Sequence, residues 1–146
     1  MHAVRILAFI LIAASAALAA AQQPTCTVNI HVDGFRNQRG DLGVTVFTSP
    51  AGWPEQNEKA LFHSGFPITG THATATIQLP PGRYSFAVLH DENSNHKLDR
   101  NFIGFPKEGF GFSNNPAVRL TAPGFDTAAT QVACPATDVV IHLIYK

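Results

Sequence analysis

A short stretch near the middle of the chain carries the oxygen atoms that a hard cation requires. Side-chain oxygens alternate along it, at Asp91, Asn93, Asn95 and Asp99. A calcium loop uses such side chains at its first, third, fifth and ninth positions and a backbone carbonyl at its seventh, which here belongs to Lys97. The spacing therefore predicts a weak calcium site in this loop.

Two positions of the loop depart from the EF-hand pattern, which has Gly at its sixth position and Glu at its twelfth. This chain has His96 and Phe102 there, so the loop is not an EF-hand. The sixth position needs a left-handed backbone, which His adopts less readily than Gly. Glu92 or Glu108 could add a carboxylate. A metal-free turn, in which Asp and Asn side chains bond their own backbone, is the alternative.

The next segment, residues 102–115, is unusually rich in aromatic rings for a loop. Its four Phe residues are separated by three Gly and one Pro, and two Asn residues follow. The rings either pack against one end of the domain or form an apolar surface for a ligand. The predicted ligand-binding residues, for an unknown envelope or extracellular ligand, are Phe105, Phe110, Phe112, Asn114 and Asn115. Bracing of the loop is the alternative role of the two amides.

A metal-dependent hydrolase centred on His90, Asp91 and Glu108 is the second functional hypothesis. His and carboxylate side chains are common metal ligands. His31 and His142 also fall in predicted strands, and they could join a zinc or copper site only if the strands were adjacent. The chain has no G-x-S-x-G nucleophile motif. A non-enzymatic binding module is therefore the favoured prediction.

The elements that position these segments are predicted to be strands. Apolar and polar residues alternate through 26–33 and 42–48, which predicts a hairpin, and again through 73–79 before a Pro-Pro-Gly turn into 84–89. A short helix or turn is predicted near 53–62. Extended structure is predicted again near 117–121, 127–132 and 138–145.

This pattern indicates an all-β fold. About seven strands with at most one short helix favour an antiparallel β-sandwich of transthyretin-like or immunoglobulin-like shape, with a small barrel as the alternative. Every segment between turns is too short to bury a core alone. The sequence therefore predicts one domain over residues 22–146.

The first 21 residues are predicted to be a secretory signal peptide. One basic residue precedes an apolar run over 6–18, and small residues follow it. That run is shorter than the ~20 residues a membrane-spanning helix needs. Cleavage is expected after Ala21, with Ala19 as the alternative. The protein is thus predicted to be secreted across the inner membrane, into the periplasm or beyond, with no membrane span.

The chain has two cysteines, Cys26 and Cys134. Export places both in an oxidising compartment, where a disulfide is expected. The bond would join the start of the first strand to the segment before the last one. Two thiols too far apart to meet are the alternative.

Charge excludes one class of partner. The chain has 10 Lys and Arg residues against 10 Asp and Glu residues, so its formal charge is zero. Nucleic-acid binding needs clustered positive charge. No nucleic-acid partner is predicted, and the protein is expected to be a monomer.

Two motifs resemble those of a bacterial secreted family catalogued as domain of unknown function 2141. They are HDENSNHKLD at 90–99 and GFPKEGFGFSNN at 104–115, and LPPGRY at 79–84 is similar as well. The resemblance extends over essentially the whole mature chain, including the closing strand at 139–145. It implies a small exported β-sandwich and no particular activity.

Overall fold

The computed structural model describes residues 22–146, so the predicted signal peptide lies outside the described residues. Strand-forming sequence dominates the described part of the chain. Its elements, in chain order, are β1 (Cys26–Asp33), β2 (Asp41–Phe47), a 3-10 turn (Asn57–Lys59), β3 (Phe62–Phe66), β4 (His72–Leu79), β5 (Gly82–Asp91), β6 (Gly109–Phe112), α1 (Phe125–Ala128), β7 (Ala129–Val132) and β8 (Ala136–His142). Within residues 22–146, no helix is long and apolar enough to cross a membrane.

The strands form two sheets that enclose one apolar core. The order is β4-β1-β8 in the three-stranded sheet and β3-β2-β5-β6 in the five-stranded sheet, where β7 also pairs with β5. Val28 and Ile30 of β1 are fully buried and share the core with Val44 of β2 and Phe86 of β5. The predicted all-β sandwich is confirmed, with eight strands in two separate sheets.

The predicted hairpin of the first two strands is wrong. β1 pairs with β4, antiparallel, and with β8, in parallel, whereas β2 pairs with β3 and β5. The turn after β1 therefore leads from one sheet to the other, and the turn between β4 and β5 does the same. Alternation specifies which face of a strand is buried, but it does not specify the neighbouring strand.

Some local expectations also differ from the structure. Residues 53–62, predicted to form a short helix or turn, form turns that include the 3-10 turn, but β3 already begins at Phe62. No strand forms at 117–121, and α1 occupies the start of the strand predicted at 127–132. The Phe-rich segment over 102–115, described from the sequence as a loop, contains β6.

The sequence Gly-Phe-Gly-Phe explains how β6 fits. Gly111 faces β8, where an added Cβ would lie 2.6 Å from Cγ2 of Ile141, so the two strands approach too closely for a side chain. Phe110 and Phe112 point to the opposite side. They join a second, smaller apolar cluster on the outer face of the five-stranded sheet, where Trp53 packs against them.

The predicted disulfide is confirmed. Cys26 begins β1 and bonds to Cys134, which lies between β7 and β8, with the two Cα atoms 4.6 Å apart. The bond fixes the first strand to the connection that precedes the last one. β1 and β8 are also direct neighbours in the sheet.

Candidate functional site: an outer groove and the 91–99 loop

A groove lies against the outer face of the five-stranded sheet. It has a volume of about 250 Å³ and is bounded by the Phe-rich segment on one side and by residues 118–122 on the other. Phe110 and Phe112 of β6 contribute to it, and Leu98 belongs to its lining as well. We call this feature the outer groove.

The outer groove gathers half of the exposed large apolar side chains among residues 22–146. Six large apolar side chains of residues 22–146 are exposed, and three of them line the groove: Ile103 (62% exposed), Phe105 (47%) and Leu120 (90%). A fourth, Phe102, is the neighbour of Ile103 and is 99% exposed. Clustering of this kind is typical of an interaction site, whereas apolar residues scattered singly over a surface are ordinary.

Three cationic side chains and one carboxylate also line the groove. Arg100 forms an ion pair with Glu55 and donates to the carbonyl of Gly104 at 3.2 Å. Nζ of Lys146 donates to the carbonyl of Val118 at 2.8 Å. Neither Lys146 nor the third cation, Arg119, has an ion-pair partner among residues 22–146.

A smaller cavity of about 80 Å³ lies beside the outer groove on the same face of the sheet. Leu98 and Glu55 line both cavities and so stand between them. On the far side, His63 of β3 and His96 of the 91–99 loop meet with their ring centroids 5.8 Å apart. The loop therefore forms one wall of this cavity.

The structure gives the three predicted Phe residues different surroundings. Phe110 and Phe112 are buried within the outer apolar cluster, whereas Phe105 is exposed at the groove. Packing against the domain and display to a ligand, the two alternatives for these rings, thus each describe part of the segment. The strand β6 packs its rings, and the loop before it displays them.

The two predicted Asn residues form bonds that brace the fold. Both adopt left-handed backbone conformations, with φ of +65° at Asn114 and +45° at Asn115. The Asn114 amide donates to the carbonyl of Ala129 at 2.9 Å. Asn115 donates to the carbonyl of Val140 and accepts from the backbone N–H of His142, so it covers the open edge of β8. Neither residue lines the outer groove.

Asp91 organises the 91–99 loop. Its carboxylate is buried and accepts the backbone N–H groups of Asn95 at 3.1 Å and His96 at 2.7 Å. The chain at His96 is left-handed, with φ of +62°, as the sixth position of a calcium loop requires. Asn57 donates to the carbonyl of His96 at 3.2 Å and holds the loop against the 3-10 turn.

Asp99 faces two amide groups of the same loop. Its carboxylate oxygens accept from Nδ2 of Asn93 at 2.6 Å and from Nδ2 of Asn95 at 3.0 Å. The amide oxygens accept backbone N–H groups instead, of Asn95 and Lys97 respectively. In this arrangement the amides turn their N–H groups, and not their oxygens, toward the carboxylate.

Glu108 joins the two ends of the loop. Its buried carboxylate accepts the backbone N–H groups of Glu92 and Asp99, each at 3.0 Å. Burial raises the pKa of Glu108, and the two hydrogen bonds oppose that rise. Within residues 22–146, no group of three or more His, Cys, Asp or Glu side chains is arranged to hold a metal ion.

His90 and Asp91 point to opposite faces of β5, as successive strand residues do. His90 is buried, with Nε2 2.9 Å from the carbonyl of Arg39 and Nδ1 2.7 Å from the hydroxyl of Tyr145. A carbonyl only accepts, so Nε2 carries a proton and donates it to the carbonyl of Arg39. The residues of the hydrolase hypothesis therefore do not converge on one substrate position.

A polar cluster beside His90 was missed by the sequence analysis. Nε of Arg36 donates to Oε1 of Glu92 at 2.5 Å, and its guanidinium lies 4.8 Å from the ring centroid of Tyr145. The hydrogen bond from Arg36 lowers the pKa of Glu92, and burial raises the pKa of Tyr145. These residues are far apart in the chain, and no motif in the sequence links them.

The two other histidines in predicted strands, His31 and His142, lie apart from His90. His31 and His142 both lie on the exposed face of the three-stranded sheet. That face is on the opposite side of the sandwich from the outer groove. Nδ1 of His142 is 2.7 Å from a carboxylate oxygen of Asp33, its neighbour across the strands. His90 is separated from both by the core.

The fold and these sites define a two-sheet β-sandwich whose larger sheet carries, on its outer face, a groove lined by exposed apolar side chains and by cations. The chain belongs to the bacterial family described as "Uncharacterized protein conserved in bacteria (DUF2141)", whose model matches residues 30–140. The resemblance of the two motifs to this family is thereby confirmed. No curated protein and no solved structure matches the chain.

Proposed function

We propose that the protein is an exported, non-enzymatic binding module that holds an apolar ligand in the outer groove. The observation that carries the proposal is the concentration of exposed apolar side chains there, with Ile103, Phe105 and Leu120 on its walls. Covering such surface is favourable by about 25 cal/mol per Å² of apolar area removed from water. The signal-peptide pattern and the disulfide support export.

A rigid floor supports this function. Phe112 is packed at 5.6 Å between ring centroids against Trp53, whose Nε1 donates to the carbonyl of Pro123 at 2.8 Å. The groove is therefore built on a sheet and a fixed aromatic cluster, while the exposed rings belong to the loop above it. Trp53, the one tryptophan of the chain, can report on ligand binding by its fluorescence.

The test uses the uncharged fluorophore N-phenyl-1-naphthylamine with the oxidised mature protein. Binding is expected to raise the fluorophore's emission, and the Phe105→Ala and Leu120→Ala variants are expected to weaken binding several-fold. Phe102→Ala is the matched control, because Phe102 is exposed but does not line the groove. No binding by the wild type, or an equal loss in the control, would contradict the proposal.

Calcium binding by the 91–99 loop is a second candidate function. The left-handed backbone at His96 supports it, since a calcium loop needs a sharp turn at its sixth position, and Asp91 stabilises that turn through the N–H groups of Asn95 and His96. Calcium would have to turn the amide oxygens of Asn93 and Asn95 toward the ion, where their nitrogens now lie beside Asp99. This rearrangement and the small number of carboxylates predict a weak site.

Thermal unfolding in chelator and in millimolar calcium tests the second candidate, with magnesium as the ionic control. A ligand at 100 times its Kd stabilises the fold by about 2.7 kcal/mol, and a weaker site gives less. Asp99→Asn is expected to abolish the calcium shift without unfolding the protein in chelator. An identical Tm with and without calcium would leave the loop as a metal-free turn.

A further inference from the structure

We infer that the outer groove takes an anionic amphiphile, a single alkyl chain that ends in a carboxylate or phosphate, with its head group at Arg119. The inference rests on the proposed function and narrows it to one ligand class. The exposed apolar rings by themselves do not specify a ligand class. The charged and hydrogen-bonding groups along the groove provide that further information.

Arg119 is the groove cation whose side chain forms neither an ion pair nor a hydrogen bond among residues 22–146. The guanidinium of Arg100 is committed to Glu55 and to the carbonyl of Gly104. The ammonium of Lys146 keeps its charge but is held in place by the carbonyl of Val118. Glu55, the one carboxylate among the side chains that line the groove, is already paired. An anionic head group would therefore find a partner in Arg119 and no unpaired side-chain carboxylate on the walls.

The position of Arg119 joins this charge to the apolar walls. Val118 and Leu120, the neighbours of Arg119 in the chain, both line the groove. Phe105 lines the groove as well, on the opposite wall. A ligand that paired with Arg119 could thus lay its alkyl chain along the same groove. Charge-assisted hydrogen bonds to a guanidinium are roughly twice as strong as neutral ones, and carboxylate or phosphate fits its planar donors.

The scarcity of neutral polar groups argues against other ligands. Thr121 is the one uncharged polar side chain that lines the groove. A sugar or an extended peptide would bury many hydroxyl or amide groups where few neutral side-chain partners exist, and each such group left without a partner costs about 1–3 kcal/mol. An alkyl chain carries no polar group to satisfy. The lining therefore fits a ligand that is polar at one end only.

The experiment compares three ligands of equal chain length, each below its micelle concentration: dodecanoate, dodecyl phosphate and dodecanol. Each displaces N-phenyl-1-naphthylamine from the oxidised mature protein at low salt. We expect the two anions to bind at least about tenfold more tightly than the alcohol. Tighter binding of the phosphate would indicate a phospholipid source, and tighter binding of the carboxylate a fatty-acid source.

The Arg119→Gln variant tests the head-group contact. It is expected to weaken binding of the anions at least several-fold and to leave binding of dodecanol unchanged. Lys59→Gln, which removes a positive charge outside the groove, is the matched control and should change nothing. High salt should weaken the anions only, because screening acts on the charged contact.

Three results would overturn the inference. Equal binding of all three ligands would leave an apolar groove without selection for charge, so the proposed function would stand alone. Failure of the neutral fluorophore and of every amphiphile would remove the proposed function as well. A concentration-dependent dimer in sedimentation that excludes the ligands would assign the groove to a second copy of the chain.

Discussion

Glu92 keeps its charge in the fold because Arg36 donates to it at close range. The hydrogen bond lowers the pKa of Glu92 below its ordinary value of 4.5. A carboxyl group whose pKa is lowered by folding contributes stability above its unfolded pKa and loses that contribution as the pH falls through the folded value. Glu108 acts in the opposite direction, because burial raises its pKa, so its contribution to stability falls as the pH rises.

Glu92→Gln should therefore reduce the free energy of unfolding at pH 7 by about 1 kcal/mol, the difference between a charged and a neutral hydrogen bond. Below pH 4.5 the stability of this variant should decline less steeply than that of the wild type. Glu108 is present in both proteins, so its titration does not contribute to the difference. Urea unfolding measured from pH 7 to pH 3 checks this. Glu55→Gln is the control: its ion pair with Arg100 is exposed, and we expect a loss below about 1 kcal/mol.

At the scale of elements, β6 depends on the absence of side chains on one of its faces. Gly111 lies where a Cβ would be 2.6 Å from Ile141 and 3.0 Å from the carbonyl of His142. β6 therefore lies close against β8 on one face. Its other face carries Phe110 and Phe112, the two rings that support the outer groove. The glycines of β6 are thus a packing requirement of the site.

Gly111→Ala is expected to lower the free energy of unfolding by about 1–3 kcal/mol through overpacking. Gly43→Ala is the matched control on β2, where an added Cβ would meet Leu89 at an ordinary 3.6 Å. That variant should be unchanged or more stable by about 0.5–1 kcal/mol, because Ala loses less backbone entropy than Gly. Equal effects of the two substitutions in chemical denaturation would refute the packing explanation.

At the scale of the whole molecule, the disulfide joins residues 108 positions apart. Closing so long a loop restricts the unfolded chain far more than the folded one, because the folded sandwich already holds β1 and β8 together. The chain-entropy account gives about 4–5 kcal/mol for a loop of this length. The bond therefore contributes a large share of the stability of a small domain.

Replacing both Cys26 and Cys134 by Ala should lower the free energy of unfolding by that amount. Urea unfolding of the oxidised, reduced and double-variant proteins provides the measurement, and the reduced wild type should behave like the variant. A loss of less than about 1 kcal/mol in both would mean that the unfolded chain gains little freedom when the bond is removed.

Strands are predictable here because each carries its own burial pattern. The alternation in β1 and β4 is visible in the sequence, since one face of each strand enters the core and the other faces water. β6 escaped prediction because two Gly residues take the place of its inward side chains. The pairing of β1 with β8 escaped it because that contact joins the two ends of the domain.

The candidate site was predicted in the same uneven way. The composition of the Phe-rich segment marked it as a site for apolar contact, but the exposure of Phe105 and the burial of Phe112 depend on where β6 inserts. Leu120 and Arg119 carry no motif, and they line the groove only because their segment folds against that loop. Sequence alone therefore indicated one wall of the groove.

The sequence by itself determined the fold class, the family and the pairing of its two cysteines, because local alternation, contiguous motifs and the count of cysteines are properties of the chain. The tertiary structure decided which strands are neighbours, that His90 and Asp91 face opposite ways, and that an unpaired arginine lies beside exposed rings. These features join residues distant in the chain, and only the packing of the two sheets brings such residues together.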